Sequence, residues 1–486
     1  MTSPALALKR WIPELGDVDD RMWLMLLGLV GLAGFFLKKW APPLPLVILG
    51  LIVLVVVWRG RGSEFPLYAL IAYLPFSRSL AENLGLGISF LNLMNVLTLW
   101  VLAAYVIRQF RQKQPLLEMT PLHGLILIFA ALSLFALIRA GWMYGGWYFW
   151  GQMSAMKRWL MPFVFFGLTF AVVKDERTAK TVLLLVLIAV TVVALMAIWE
   201  YWDRAGSTIE RARVRGITAN PNQLGAFFIY YMFLFMALFL TYPKRLFGWL
   251  LLVGFLICGR GMMATFSRGA YAAFAAGMLA TCGVRNKWLF VVATAIGIFA
   301  LANPSLLPQG VRYRMNMTVT KGHSISVEED LAQELEHNLE PSAARRVVIW
   351  EGAQRMIQDH PFWGVGYGAF PTFLPHYVEP RALGQQLYVD AHNTFFMVAT
   401  EMGLPTLAIF LSVLAVVGYY AWWLWRRGQD RTLRAMGLGL VGGLAGLVVS
   451  NLFSSCMNAE EVVGYFWILC GLAMRAIVLQ RRTRST

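Results

Sequence analysis

Residues 181–199 read TVLLLVLIAVTVVALMAIW, nineteen consecutive positions without a charge. A helix needs ~20 such residues to cross the ~30 Å hydrocarbon core of a bilayer. A membrane strand needs only about 9–11, with apolar and polar positions alternating. This run does not alternate and is too long for a strand. In hydrocarbon the backbone must satisfy its own hydrogen bonds, so the run reads as a spanning helix over 178–200.

Outward from it the same pattern recurs at 22–37, 44–58, 65–76, 89–107, 122–140, 158–173, 221–241, 246–262, 269–283, 288–302, 394–425, 433–454 and 460–479. The runs 22–37 and 65–76 are short for a straight span. The run 394–425 is long enough to break at Gly403 and Pro405. The expected fold is an all-α polytopic membrane protein with about 12–14 transmembrane helices and one large, partly helical outer loop. Composition agrees: 58% of the 486 residues are hydrophobic and 14% are charged, against about 25% charged in soluble domains. No repeat of fixed period stands out. No cleavable signal peptide is expected, because the first apolar run begins only at Met22.

The net charge is +16. Lys and Arg collect in cytoplasmic loops and orient the helices. Arg426, Arg427, Arg431 and Arg434 form one cluster, and Arg481, Arg482 and Arg484 another. Counting spans backwards puts Arg285 with Lys287, Lys244 with Arg245, Lys174 to Lys180, and Arg108 to Lys113 on that same side. Lys38-Lys39 is the misfit. Both termini are then cytoplasmic. The expected organisation is an N-terminal segment at 1–21, a helix bundle at 22–302, an outer loop at 303–391, C-terminal helices at 392–480 and a basic tail at 481–486. Basic residues scattered over helix ends form no stripe for nucleic acid; they suit membrane lipids, an anionic lipid or a diphosphate. Cys258, Cys282, Cys456 and Cys470 lie in or beside apolar runs and read as packing residues.

The outer side carries the polar motifs. Arg213-Val214-Arg215-Gly216 precedes Asn220-Pro221-Asn222, where Asn220 or Asn222 can cap the next helix. Arginine forks onto phosphate oxygens, and a new helix start favours an anion; solvated arginines in an interfacial loop would look the same. Ser267-Arg268-Gly269 joins two spans with almost no loop. Arg268 thus sits at or inside the membrane boundary, where a charge costs roughly 2.5–3.5 kcal/mol. Either it has a partner or function, or it snorkels to headgroups.

Five of the six histidines, His323, His337, His360, His376 and His392, fall in the outer loop or at its junction with the C-terminal helices. None pairs at helical metal-ligand spacing, so no metal and no cofactor is expected. His392 differs by position: it stands between Asp390 and Asn393 where apolar sequence resumes. A histidine there can accept a proton near neutral pH. Upstream, Ser342 to Gln358 reads as a helix carrying Arg346 and Trp350, with Ser342 as candidate N-cap. Gly364-Val365-Gly366-Tyr367-Gly368 lacks the strand and helix flanks of a nucleotide loop. It suits a tight turn or a close backbone approach.

Taken in this order, the motifs resemble those of the O-antigen ligase and O-antigen/exopolysaccharide polymerase superfamily of bacterial inner-membrane glycosyltransferases. The resemblance rests on Arg213-Val214-Arg215-Gly216 with Pro221-Asn222, on Ser267-Arg268-Gly269, on Arg346 with Trp350, and on Asp359-His360-Pro361 with Gly364-Val365-Gly366. The family's histidine pattern is met by His392, Asn393, Gly403 and Thr406, whereas His337-Asn338 has Val348 where glycine is required. The resemblance covers about residues 200–410. It implies metal-independent transfer of a glycan from undecaprenyl diphosphate to a glycan, lipid A–core or other acceptor, with arginines on the diphosphate and the histidine at the acceptor. His392, Arg268 and Arg213 are then the expected catalytic residues, and Arg215, Arg346, Trp350, Asp390 and Asn393 the expected substrate contacts. Transport of a lipid-linked glycan is the alternative. It fits less well, since the ionisable candidates gather on one face and not at midplane.

Overall fold

The computed structural model describes residues 64–78, 92–204, 212–306, 312, 341–378 and 390–485. The expected segment 1–21, the spans 22–37 and 44–58, Lys38-Lys39, His323 and His337 lie outside the described residues. Among the described residues there is no strand, and nine helices are long and apolar enough to cross a membrane.

A short helix α1 (Phe65–Tyr73) precedes six of the nine: α2 (Leu93–Gln112), α3 (Pro121–Tyr144), α4 (Gly146–Val172), α5 (Glu176–Asp203), α6 (Pro221–Thr241) and α7 (Leu246–Ala264). Helices α8 (Arg268–Arg285) and α9 (Lys287–Ala302) follow, then α10 (Pro341–Asp359), α11 (Phe370–Phe373) and α12 (Thr394–Met402). The last three spans are α13 (Leu404–Arg427), α14 (Arg431–Phe453) and α15 (Glu460–Ser485).

One helix starts well ahead of the sequence reading, and one expected break is present. The span expected at 158–173 begins at Gly146, because Gly145 (φ 100°) reverses the chain and nothing in the polar stretch through Lys157 and Arg158 breaks the helix. The run 394–425 is divided at Gly403 (φ 87°) into α12 and α13, with Pro405 in the first turn of α13 where its missing N–H costs nothing.

The centre of the bundle is α6, whose Phe227, Phe228, Tyr230, Tyr231 and Phe233 are buried. Helix α14 closes on it through glycine. A methyl group at Gly443 would overlap the Tyr230 carbonyl oxygen, and one at Gly446 would overlap the Ile229 side chain. Small residues let helix backbones approach where hydrocarbon gives little drive to associate. Basic turns meet at one end: Lys180 bonds Asp430 at 2.7 Å, and Arg285 and Arg434 flank the Trp425 ring at 5.2 and 5.3 Å. The opposite end holds the starts of α6 and α8 and the α14–α15 loop. A small second core covers that end: Ile349, Ala353 and Met356 of α10 are buried with Val365, Phe370, Leu374 and Ala391. The four cysteines are buried free thiols.

Candidate functional site

Three arginines from distant parts of the chain line one cavity. Arg213, Arg268 and Arg346 surround it together with Asn222, Ser267, Gly269, Ala270, Ser450, Phe453 and Ser454. Two helix starts open on it. Asn220 caps α6 through the Asn222 and Gln223 amides, each at 3.1 Å. Ser267 caps α8 through the Ala270 amide at 3.4 Å, leaving Arg268 as the first helical residue. Helix starts present free N–H groups and partial positive charge. Guanidinium groups and helix starts together give the cavity the chemistry that suits an anion.

Arg213 is held in place from behind. Its Nε donates to the Thr265 carbonyl at 3.2 Å and its Nη2 to Asn222 Oδ1 at 3.2 Å. Its own carbonyl accepts from Arg204 Nη1 at 2.8 Å. Arg204 in turn pairs with Glu200 at 2.7 Å, and Glu200 accepts the amides of Arg215 and Gly216 at 3.3 and 2.9 Å. The Arg215 side chain is exposed and does not line the cavity. Nothing local in the sequence distinguishes Arg213 from Arg215; the clasp from α5 does.

The histidine stands beside this cavity. His392 is half-buried in the turn before α12, with φ 50°. Phe266, before α8, has the same φ of 50°. Each is a non-glycine residue in the left-handed region immediately ahead of an N-cap, Asn393 or Ser267. Such backbone persists where surrounding contacts over-determine it. Here the contacts are visible. Trp350 Nε1 donates to the Ala391 carbonyl at 2.9 Å, and Ser455 Oγ donates to Asp390 at 3.0 Å. Asn393 Oδ1 accepts the Phe395 and Phe396 amides at 2.9 and 3.1 Å. Its side-chain oxygen therefore caps α12. The Trp350 ring lies 6.1 Å from Phe396 and 6.4 Å from Phe453.

Burial lowers the His392 pKa below the ordinary histidine value. Asp390 opposes that shift, and Arg346 and Arg345 reinforce it. The imidazole is therefore neutral near pH 7 and able to accept a proton.

The glycine-rich passage after α10 has a structural task. The last carbonyls of α12 have no partner within their own helix. Val365 and Gly366 donate to the Thr400 and Glu401 carbonyls at 2.8 and 3.0 Å, and Leu404 donates to Pro361 at 2.8 Å. Arg139 binds the Trp363 and Gly364 carbonyls at 2.7 and 2.5 Å. The passage thus turns tightly and meets backbone. Its Phe370 amide also donates to the Glu401 carboxyl at 3.4 Å. Glu401 is buried, which raises its pKa to about 8.

Of the expected site residues, Arg213, Arg268 and Arg346 meet in the cavity. Asp390 and His392 share the adjoining turn, Trp350 and Asn393 support that turn, and Arg215 points away. Ser342 falls inside α10, which starts at Pro341; proline suits a first helical position. His360 and His376 are exposed. Among the described residues no three His, Cys, Asp or Glu side chains gather to hold a metal. Sequence reading missed Glu200, Arg204, Glu401 and the polar run Asn451 to Cys456. The cluster of Asn451, Ser454 and Ser455 at the end of the apolar run 433–454 was its available signal.

Comparison with known families finds that residues 253–411 match the family described as O-antigen ligase. The match spans Arg268, α10 and the histidine turn through α12. It supports the O-antigen ligase and polymerase superfamily, and with it a ligase- or polymerase-type glycosyl transfer in a multi-pass membrane protein. No curated protein matches the chain.

Proposed function

We propose that this chain, carrying an O-antigen ligase domain, transfers a glycan from undecaprenyl diphosphate to a glycan or lipid acceptor at the periplasmic face of the bacterial inner membrane. The observation that carries this reading is the convergence of Arg213, Arg268 and Arg346 on one cavity, next to a neutral His392. The basic turns at the opposite end of the bundle support a cytoplasmic assignment for that end.

In this reading the diphosphate occupies the arginine cavity with its polyprenyl tail among the helices. The acceptor hydroxyl attacks the anomeric carbon as the bond from that carbon to the phosphate oxygen breaks. The electron pair leaves with undecaprenyl diphosphate, and the acceptor proton passes to His392. Fixed guanidinium groups and the starts of α6 and α8 stabilise the charge that grows on the leaving group. Arg346 lies between the two functions. It lines the cavity, and its charge helps keep His392 unprotonated. Asp390 orients the histidine turn through Ser455. No step here is assigned to a metal or a cofactor.

The test is transfer by purified protein in lipid discs, with an undecaprenyl-diphosphate glycan and each acceptor class supplied in turn. Acceptor-dependent release of undecaprenyl diphosphate, abolished by Arg268→Ala and by His392→Ala, is expected. Translocation of the intact donor without transfer, or full transfer by both variants, overturns the reading.

A further inference from the structure

Asn451, on α14, contacts neither the arginine cavity nor the histidine. It is fully buried, and all four of its side-chain hydrogen-bond positions are used. Oδ1 accepts Thr394 Oγ1 at 2.6 Å and the Cys456 amide at 3.1 Å. Nδ2 donates to Tyr230 Oη at 2.7 Å and to the Leu447 carbonyl at 2.9 Å. These bonds reach three separate pieces of the site. Thr394 opens α12, two residues after His392. Cys456 belongs to the loop whose Ser454 lines the cavity and whose Ser455 bonds Asp390. Tyr230 belongs to α6, whose start carries Asn222 into the cavity. Neighbouring Ser450, which also lines the cavity, donates to the same Tyr230 oxygen at 3.2 Å.

A satisfied buried polar network fixes one arrangement, because each broken bond strands a partner in a medium without water. On its C-terminal side the His392 turn runs through the Asn393 cap into Thr394, which Asn451 holds. The φ of His392 itself is in the strained left-handed region, so the turn holds its shape only while its neighbours do.

We propose that Asn451 is a positioning residue for glycan transfer: through Thr394 on one side and the Ser454–Cys456 loop on the other, it sets His392 against the arginine cavity. This rests on the transfer reading above. Asn451 lies outside the matched family segment, and the juxtaposition comes from the packing of α14 against α6 and α12.

The experiment uses full-length protein in lipid discs. Thr394→Val removes one hydroxyl and one bond at nearly constant shape; Thr394→Ser restores the hydroxyl; Asn451→Ala removes the hub. Kinetics are read together with the pH profile of His392 modification by diethyl pyrocarbonate, located by mass spectrometry. Misplacement by about 1 Å costs about 100-fold in rate. Thr394→Val is expected to lower kcat by tens of fold while the donor KM stays within about twofold, to shift the His392 modification profile, and to be rescued by Thr394→Ser. If folded Thr394→Val and Asn451→Ala keep both kcat and the modification profile, the inference is overturned. A loss confined to donor KM overturns it as well. If the wild type transfers no glycan, the transfer reading fails, and the His392 profile still decides whether Asn451 positions the turn.

Discussion

Arg213 Nε donates to the Thr265 carbonyl across 3.2 Å. The first arginine motif is therefore fastened to the turn that introduces the second. Val214 repeats the link through its amide, which donates to the Ala264 carbonyl at 3.1 Å. The two motifs act as one unit, so their substitutions should not add independently.

Arg213→Lys keeps the charge but loses the two-point grip on Thr265 and Asn222. It should lower kcat/KM for the donor about 100-fold, the lower end of the range seen when one oxyanion donor is removed. Arg215→Ala, which leaves the Glu200 contacts to backbone amides intact, should stay within about threefold of wild type. Steady-state transfer rates decide between them.

The acidic limb of the rate profile should report His392. Its pKa lies below the usual histidine value, so kcat/KM should rise with pH through a midpoint below about 6.5 and then level off. Arg346 disfavours the imidazolium and Asp390 favours it. Arg346→Gln should move the midpoint up, and Asp390→Asn should move it down. Shifts in the opposite directions would exclude His392 as the titrating group.

Glu401 makes stability depend on pH. Its folded pKa of about 8 lies above the ordinary carboxyl value of 4.5. The folded state then holds a proton that the unfolded state gives up. This contribution is fully present below about pH 4.5 and is lost as pH rises through about 8. Glu401→Gln keeps an oxygen for the Phe370 amide and removes the titration. Thermal melts from pH 6 to 9 should fall more steeply for wild type than for this variant.

Gly403→Ala should be costly. The residue has φ 87°, and an added methyl group would overlap the Phe362 carbonyl oxygen. Strained backbone and overpacking each cost about 1–3 kcal/mol. The α12–α13 break should loosen, lowering the melting temperature and reducing transfer, because α12 begins two residues after His392. Ala at Gly297, where nothing stands within 4 Å of the added methyl group, is the matched control.

Much of the candidate site's inventory was legible in the chain. Arg268 was marked by its place between two spans without a loop, and His392 by its place at the edge of an apolar run. Both signals are local. Arg213 and Arg215 share the same local context, and only the Glu200–Arg204 clasp turns one inward and leaves the other exposed. Glu401 read as one acid in an apolar helix. Its burial arises because the glycine-rich passage some thirty residues earlier folds over it, at Gly364 to Phe370.

The sequence by itself determined a bundle of membrane helices and the break at Gly403, with the cationic and histidine motifs outside the apolar runs. Hydrocarbon forces every apolar run of that length to pair its own backbone groups, so composition and length suffice. The tertiary structure alone decided that Arg213, Arg268 and Arg346 share one cavity and that Asn451 bonds both Tyr230 of α6 and Thr394, two residues after His392. Those contacts join residues between about sixty and more than two hundred positions apart. Their geometry depends on how glycine-faced α14 packs against α6, and no local propensity encodes that.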